Sequence, residues 1–525
     1  MDIKSLKKFI KKHWVTITLS VIVIFGFILR IFHLGDQSYW IDEGFTLNAV
    51  LETLEKGYPI LDSGVHYARE LLNTYLIAAS VKLFGFNPWA TRIVSVLFGT
   101  GFIVLIYFFV RDLFQNKKMA LLASFLVSVS YWEIVWSRQA RMYILLQFFF
   151  FASLYTFWLL MDKYSHKRMI LLSFSTLAAC LCHPFGYLLL IIYVLIGVLN
   201  FINPLEKKKI LQKRRSKVIL NIQRYKWYYL IFSVIVIPLV GIEFYKIFLV
   251  RYFDNGLGIS DNYTTFLYLK GLVQFYTIPV VLTLLGLFLY ISRENKLFVG
   301  FYLFLSYLLP FFIVIRTTNL FHLRYLFFIF PILLIFSAYF IYQVLVFGSK
   351  TKYLVYLVII LLIAGAVGVR DFVVWPRPIY QLEFRTPNPN FTKAYRVIRE
   401  SGWQDNRSVI VSPYTQMDMV YLGKTDFYLP ISLTGLEDGL KGQIMRDNRN
   451  VYNNSPVIQS NSDLKQLHSG EATFIVIDAM ARQRINIETL EYILGNTELI
   501  WQDIRGLNSI WVYRMKNLQN HKIIQ

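Results

Sequence analysis

The sequence predicts a polytopic α-helical membrane protein with a small extracytoplasmic α/β domain at its C-terminal end. Three observations predict it. The 525 residues are 56% hydrophobic and only 16% charged, against roughly a quarter charged in a soluble domain. The apolar residues gather into runs near the length of a membrane-spanning helix, about 20 residues. After residue 374 the composition turns polar, rich in Asn and opened by Pro376, Pro378, Pro387 and Pro389.

Eleven spans emerge in order: 14–32, 92–110, 119–136, 142–161, 169–182, 184–203, 227–250, 272–291, 297–315, 325–347 and 353–374. The fifth is short, and it meets the sixth at His183-Pro184. Segment 71–86 is apolar too, but it contains Lys82 and ends at Gly85 and Pro88. It reads as a helix lying in the membrane interface. Charge supports this choice. With the N-terminus inside, segments 1–13, 111–118, 162–168, 204–226, 292–296 and 348–352 are cytoplasmic and hold 24 Lys and Arg, while the outer loops carry few. A twelfth span at 71–86 would turn Arg111, Lys117, Lys118 and the basic block 206–226 outward, against the positive-inside rule. Eleven is odd, so 375–525 lies outside the cytoplasm. The protein is expected in a cell membrane, N-terminus cytoplasmic. Its domains are a transmembrane part, 1–374, with a first outer loop at 33–91, and the extracytoplasmic part, 375–525.

In that second domain the apolar runs 408–411, 473–477 and 509–512 read as strands, and Phe391–Glu400 and 487–494 as helices. Segment 436–465 reads as a polar loop. No Gly-rich phosphate loop is present, so no catalysis is assigned there. The net charge of +22 does not indicate nucleic acid, because it clusters in short loops between spans. Cys180 and Cys182 lie in an apolar segment and read as small buried hydrophobes, not as a disulfide or a metal site. The apolar run at the start is too long for a cleavable signal peptide.

Candidate chemistry gathers on the outer edge. Asp42 and Glu43 stand about ten residues past the first span. Charge beside hydrocarbon is costly and usually functional. Adjacent side chains do not aim at one atom, so one carboxylate would act as base and the other support it. The alternative is a solvated loop start or a helix cap. Glu133, Arg138 and Arg141 sit where the third span meets the fourth. Arg138 and Arg141 are three apart, so one helical face would present both, and guanidinium suits phosphate. Interfacial anchoring is the alternative. His183 and the His322-Leu323-Arg324-Tyr325 run end other spans, with hydrogen-bonded or anchoring roles as alternatives. Loop 251–263 would cover a substrate, Glu243 and Lys246 read as an ion pair, and Arg30, Arg370 and Asp371 read as snorkelling to the surface. Acids and cations on one face suit a base working opposite an anionic leaving group.

These residues resemble membrane glycosyltransferases of the GT-C fold, of the protein O-mannosyltransferase and aminoarabinose-transferase type (glycosyltransferase family 39 type). The matching pieces are Trp40-Ile41-Asp42-Glu43, Phe84-Gly85 leading to Arg92, Ser137 to Tyr143, His183-Pro184, and Arg324-Tyr325 with Pro331. The resemblance implies Asp42 as general base, Arg141 as the arginine on the donor phosphate, and Arg138, Arg324 and Tyr325 beside it. Glu133, His183, His66 and Arg69 are weaker placements in the same cleft. Where many members read His-Pro-Pro-Leu, this chain reads Gly64 to Glu70, which marks a divergent branch with its own acceptor. The implied donor is a polyprenyl-phosphate sugar, the outcome inversion, the acceptor a hydroxyl on protein, glycolipid or cell-envelope glycan. The resemblance also implies no cofactor and no obligatory divalent metal, and, with the C-terminal α/β domain, a bacterial or archaeal membrane.

The competing class is a flippase or transporter for a lipid-linked glycan. Transporters place charge near the midplane, whereas here ionisable residues crowd one edge. An acyl- or phosphotransferase would feature a His-centred nucleophile or paired metal ligands, which the sequence does not offer.

Overall fold

The computed structural model describes residues 3–202, 262–293, 297–317, 322–347, 388–431, 447–467 and 472–516. The expected spans 227–250 and 353–374, loop residues 251–261, the Glu243 and Lys246 pair, and Arg370 and Asp371 lie outside the described residues. The chain folds as two compact units: Met1–Phe32, Ser95–Arg138 and Met142–Pro376 form the first, and His33–Val94, Gln139–Arg141 and Arg377–Gln525 the second.

The first unit is helical. Its elements are α1 (Ile3–Ile31), most of α4 (Pro88–Phe114), α5 (Lys117–Val129), α6 (Tyr131–Trp136), α7 (Tyr143–Asp162), α8 (His166–Cys182), α9 (Leu188–Ile202), α10 (Asn262–Arg293), α11 (Leu297–Thr317) and α12 (Pro331–Phe347). Among the described residues, Lys4–Ile31, Pro88–Phe114, Tyr143–Asp162 and Phe298–Arg316 are long and apolar enough to cross a membrane. A further span is bent by 57° between Leu323–Ile329 and Pro331–Val346. The protein is thus a polytopic membrane protein.

Several expected spans are broken where backbone geometry changes. The run 119–136 divides at Ser130, whose extended backbone (φ −62°, ψ 126°) ends α5 and caps α6. A 3-10 turn, Pro184–Tyr187, precedes α9. Helix α10 bends at Tyr276 (φ −125°, ψ 29°), with Pro279 three residues on. Proline has no N–H for the helix and crowds the carbonyl four residues back.

Arg30 corrects the snorkelling expectation. It is fully buried and donates to the carbonyls of Gly26 (2.9 Å), Ser128 (2.9 Å) and Val127 (3.2 Å), and to Ser137 Oγ (3.1 Å). Carbonyls at the end of α5 satisfy it in place of water. Gly26 permits this approach, since a Cβ there would lie 2.4 Å from Ile103 Cδ1.

The second unit contains α2 (Ile41–Lys56), α3 (Leu71–Phe84) and a C-terminal sheet with its helices. Gly57 (φ 82°) ends α2 and Gly85 (φ 78°) ends α3, left-handed positions that glycine takes without a Cβ penalty. The C-terminal elements are α13 (Phe391–Glu400), β1 (Val409–Ser412), α14 (Thr415–Leu422), β2 (Phe427–Tyr428), α15 (Asn461–Gln466), β3 (Thr473–Asp478), α16 (Ala479–Arg484), α17 (Ile487–Asn496), β4 (Thr497–Asp503) and β5 (Ile510–Met515). The sheet order is β2-β1-β3-β5-β4. The strands β2, β1 and β3 are parallel, and β5 runs antiparallel to β3 and β4. Every residue of β3 is buried, as its unbroken apolar run requires in a sheet covered on both faces.

Candidate active site

The Asp42-Glu43 pair opens α2, where helix amides favour negative charge. The two side chains diverge. Asp42 is half-buried, and Glu43 is fully buried. Glu43 accepts from the Trp40 amide at 2.9 Å and the Ala140 amide at 2.7 Å. It also accepts two N–H bonds of Arg92, at 2.9 and 2.8 Å. Both carboxylate oxygens are thereby committed, and Glu43 is the supporting member of the pair.

Arg92 is the hub of this support. Besides Glu43 it donates to the carbonyls of Leu34 (3.1 Å), Gln37 (2.8 Å) and Ser38 (3.1 Å), and its guanidinium lies 4.9 Å over the Tyr39 ring. It is fully buried. A buried ion pair offsets its desolvation only when further hydrogen bonds satisfy the remaining donors and acceptors, and here carbonyls and amides supply them. Arg92 therefore fixes the chain 34–40 that delivers Asp42.

The second cluster centres on Arg141. Its Nη1 donates to Asp42 O (3.0 Å), Thr46 Oγ1 (2.6 Å), Tyr67 Oη (3.3 Å) and Glu70 Oε1 (2.6 Å). Glu70, fully buried at the start of α3, also accepts from Thr46 (2.8 Å), Tyr67 (2.8 Å) and Asn73 (2.7 Å). Burial and the Glu70 charge raise the Tyr67 phenol above its usual value, so it stays a hydrogen-bond donor at neutral pH. A cation and a carboxylate-bearing turn are thus locked together by four groups from distant parts of the chain.

In the first loop His66 and Arg69 are exposed, whereas Tyr67 and Glu70 are buried against Arg141. Arg138 and Arg141 do not share a helical face either. They lie in the turn after α6, and Arg138 is buried to 1%, donating to the carbonyls of Arg30 and Phe32 at 2.8 and 2.6 Å. These bonds secure the end of α1.

In the first unit, Glu133 is fully buried and accepts from Gln147 Nε2 at 3.0 Å. His183 caps the turn Pro184–Tyr187, its Nδ1 accepting from the Phe185 amide at 3.2 Å. Its ring contacts Phe185 (4.4 Å between centroids) and Tyr143 (6.5 Å). Phe185 in turn meets Tyr325 edge-on at 6.0 Å, and the buried Arg324 lies 5.6 Å from the Tyr325 ring. So His183 and Tyr325 both contact Phe185, and Arg324 lies against Tyr325. Among the described residues, no three His, Cys, Asp or Glu side chains converge to hold a metal ion.

Thr46, Tyr67 and Glu70 were not legible as site residues. Arg92 carried a signal, a cation opening an apolar run.

Two solved structures share the fold. At a TM-score of 0.53 and 13% identity, the chain matches ArnT from Cupriavidus metallidurans, crystallised bound to undecaprenyl phosphate, over 95% of this chain and 98% of that one. At 0.54 and 12%, it matches the archaeal oligosaccharyltransferase AglB from Archaeoglobus fulgidus, solved with an inhibitory peptide and a dolichol-phosphate, over 98% and 75%. This is the GT-C fold of membrane glycosyltransferases. Residues 70–221 match the family model described as dolichyl-phosphate-mannose-protein mannosyltransferase. An uncharacterized protein of Aquifex aeolicus (strain VF5) is 26% identical over 170 residues, 31% of this chain and 34% of that protein's length. The chain is therefore a GT-C membrane protein resembling the protein mannosyltransferase and ArnT type.

Proposed function

We propose that this protein is an integral-membrane glycosyltransferase. It moves a sugar from a polyprenyl-phosphate donor to an acceptor hydroxyl on the extracytoplasmic face. The observation that carries the proposal is the 3.0 Å bond from Arg141 Nη1 to the Asp42 carbonyl, which holds a cation against the turn that bears a half-buried carboxylate. The family match and the lipid-phosphate complexes of the two solved relatives support the same donor class.

In this reading Asp42 removes the proton of the acceptor hydroxyl. The oxygen attacks the anomeric carbon from the face opposite the phosphate, so the configuration inverts. The C–O bond to phosphate breaks, and its electron pair leaves on the lipid phosphate. Arg141, oriented by Glu70, Tyr67 and Thr46, stabilises the charge gained there. For His183, Arg324 and Tyr325, which belong to the first unit, a donor-side role rests on the resemblance of their motifs alone. Glu43 and Arg92 hold the Asp42 turn. No step is routed through a metal ion or cofactor. The acceptor is a protein hydroxyl, a glycolipid or a cell-envelope glycan. In this reading the C-terminal domain is extracytoplasmic.

The test is transfer from polyprenyl-phosphate sugars in proteoliposomes. Asp42→Asn should lower turnover ~10²–10⁴-fold, the usual contribution of a general base, while remaining folded. Lipid movement across the bilayer without transfer or donor hydrolysis would favour the flippase reading instead.

A further inference from the structure

The C-terminal domain reaches the turn that carries Asp42. Helix α14 packs on α2 within the second unit. The Tyr421 hydroxyl, on α14, accepts from the Tyr39 amide at 3.2 Å, three residues before Asp42. It also lies 3.5 Å from Ser38 Oγ and 2.9 Å from Thr392 Oγ1. The Thr392 amide, on α13, donates to the same Ser38 Oγ at 3.2 Å. The Tyr421 ring stacks on Tyr395 (5.0 Å, 10°), which fixes its direction.

The other side of the turn is equally tight. Gly44 lies so close to α14 that a Cβ there would meet Met417 Sδ at 2.7 Å and Gln416 Cγ at 3.0 Å. Hence residues 38–44 are gripped on one side by Arg92 and on the other by α13 and α14. Arg92 holds the carbonyls of this stretch, and Tyr421 holds an amide. The two sets of bonds do not overlap.

We infer that Tyr421 is a positioning residue for the glycosyl transfer, and that the C-terminal domain thereby sets the placement of Asp42. Tyr421 touches no reacting atom. It fixes Tyr39, which with Trp40 leads into the helix turn bearing the base. This rests on the proposed role of Asp42. Misplacement of a reacting group by about 1 Å costs on the order of 10²-fold in rate, so loss of one hydroxyl here should register in turnover.

The experiment compares wild type, Tyr421→Phe and Asp42→Asn as full-length protein in proteoliposomes, with kcat expressed per folded molecule. Tyr421→Phe keeps the ring and its stacking. The expected result is a fall in kcat of at least about tenfold with donor KM within about twofold, together with faster hydrogen exchange across residues 39–44. A merely structural role would lower the yield of folded protein and leave kcat per folded molecule unchanged. If Tyr421→Phe does not fold, Gly44→Ala probes the same grip. It should lose turnover, and Met417→Ala added to it should restore turnover by making room. Wild-type kcat in Tyr421→Phe, with Asp42→Asn inactive, overturns the positioning role and leaves the functional proposal standing. Wild-type kcat in Asp42→Asn overturns both.

Discussion

Arg92 and Glu43 form a two-pronged ion pair, at 2.9 and 2.8 Å, with both side chains fully buried. Their remaining bonds go to backbone, so the pair fastens chain 34–40 to the start of α2 and α4 to both.

Removing one partner of a fully buried pair strands the other charge, which costs about 3–5 kcal/mol. Glu43→Ala should therefore lower the unfolding midpoint in detergent sharply. Arg92→Lys should lower it too, because a single ammonium does not reproduce the fork. Thermal melts followed by circular dichroism check both. Midpoints within a degree of wild type would deny the pair its role.

Glu70 gives a separable prediction. Its carboxylate takes bonds from Arg141, Thr46, Tyr67 and Asn73. Hydrogen bonds to a charged group contribute about 1.5–3 kcal/mol. Glu70→Gln should thus lower kcat/KM for the donor by about tenfold or more, and Arg141→Lys should raise the donor KM. Steady-state kinetics over a range of donor concentration decides this. Unchanged constants in both variants would remove the Arg141 cluster from the site.

Glu133 is expected to matter for packing. It is fully buried and accepts a hydrogen bond from Gln147. Glu133→Gln should retain turnover within about threefold, since surface-remote groups enter the rate only through structure. A loss as deep as that of Asp42→Asn would show that the interior group takes part in the chemistry.

Two buried carboxylates in the sheet domain make its stability depend on pH. Burial pushes Asp418 up to about 7, against the pull of hydroxyls from Tyr395, Ser412 and Thr425. Burial likewise pushes Asp478 up to about 6, against bonds from the Ala481 amide and Tyr414. Folded values above the unfolded ones mean that the native state binds more protons between them. Their contribution is full below about pH 4 and is lost as pH rises through the folded values, about 7 and 6. The melting temperature should fall between pH 5 and pH 8. Asp418→Asn should flatten that dependence. A melting temperature that rises over this interval, in a protein whose other groups are matched by the variant, would contradict the assignment.

The sequence made some of this legible and hid the rest for physical reasons. Hydropathy marks long apolar helices, so α1, α4, α7 and α11 fall where expected. The strands β1, β3 and β5 lie on the apolar runs, and α13 has the expected bounds. Breaks escaped where no Gly or Pro announces them, as at Ser130. The direction of Arg30 escaped because its partners are backbone carbonyls about 100 residues away, at Val127 and Ser128. In the first loop the charged residues His66 and Arg69 drew notice, but Tyr67 and Glu70 face Arg141, which is 71 residues from Glu70. Only tertiary structure joins such pairs. The order of motifs along the chain singles out Asp42 and Arg141, and the structure brings Arg141 Nη1 to the Asp42 carbonyl at 3.0 Å.

The central claim is that Asp42 is the base of a glycosyl transfer from a lipid phosphate. Its most direct test is the rate of sugar transfer from a panel of polyprenyl-phosphate sugars in proteoliposomes, wild type beside a folded Asp42→Asn. Transfer by wild type that falls ~10²–10⁴-fold in the variant is the predicted result. Equal transfer by both, or lipid translocation with no transfer by either, would contradict it.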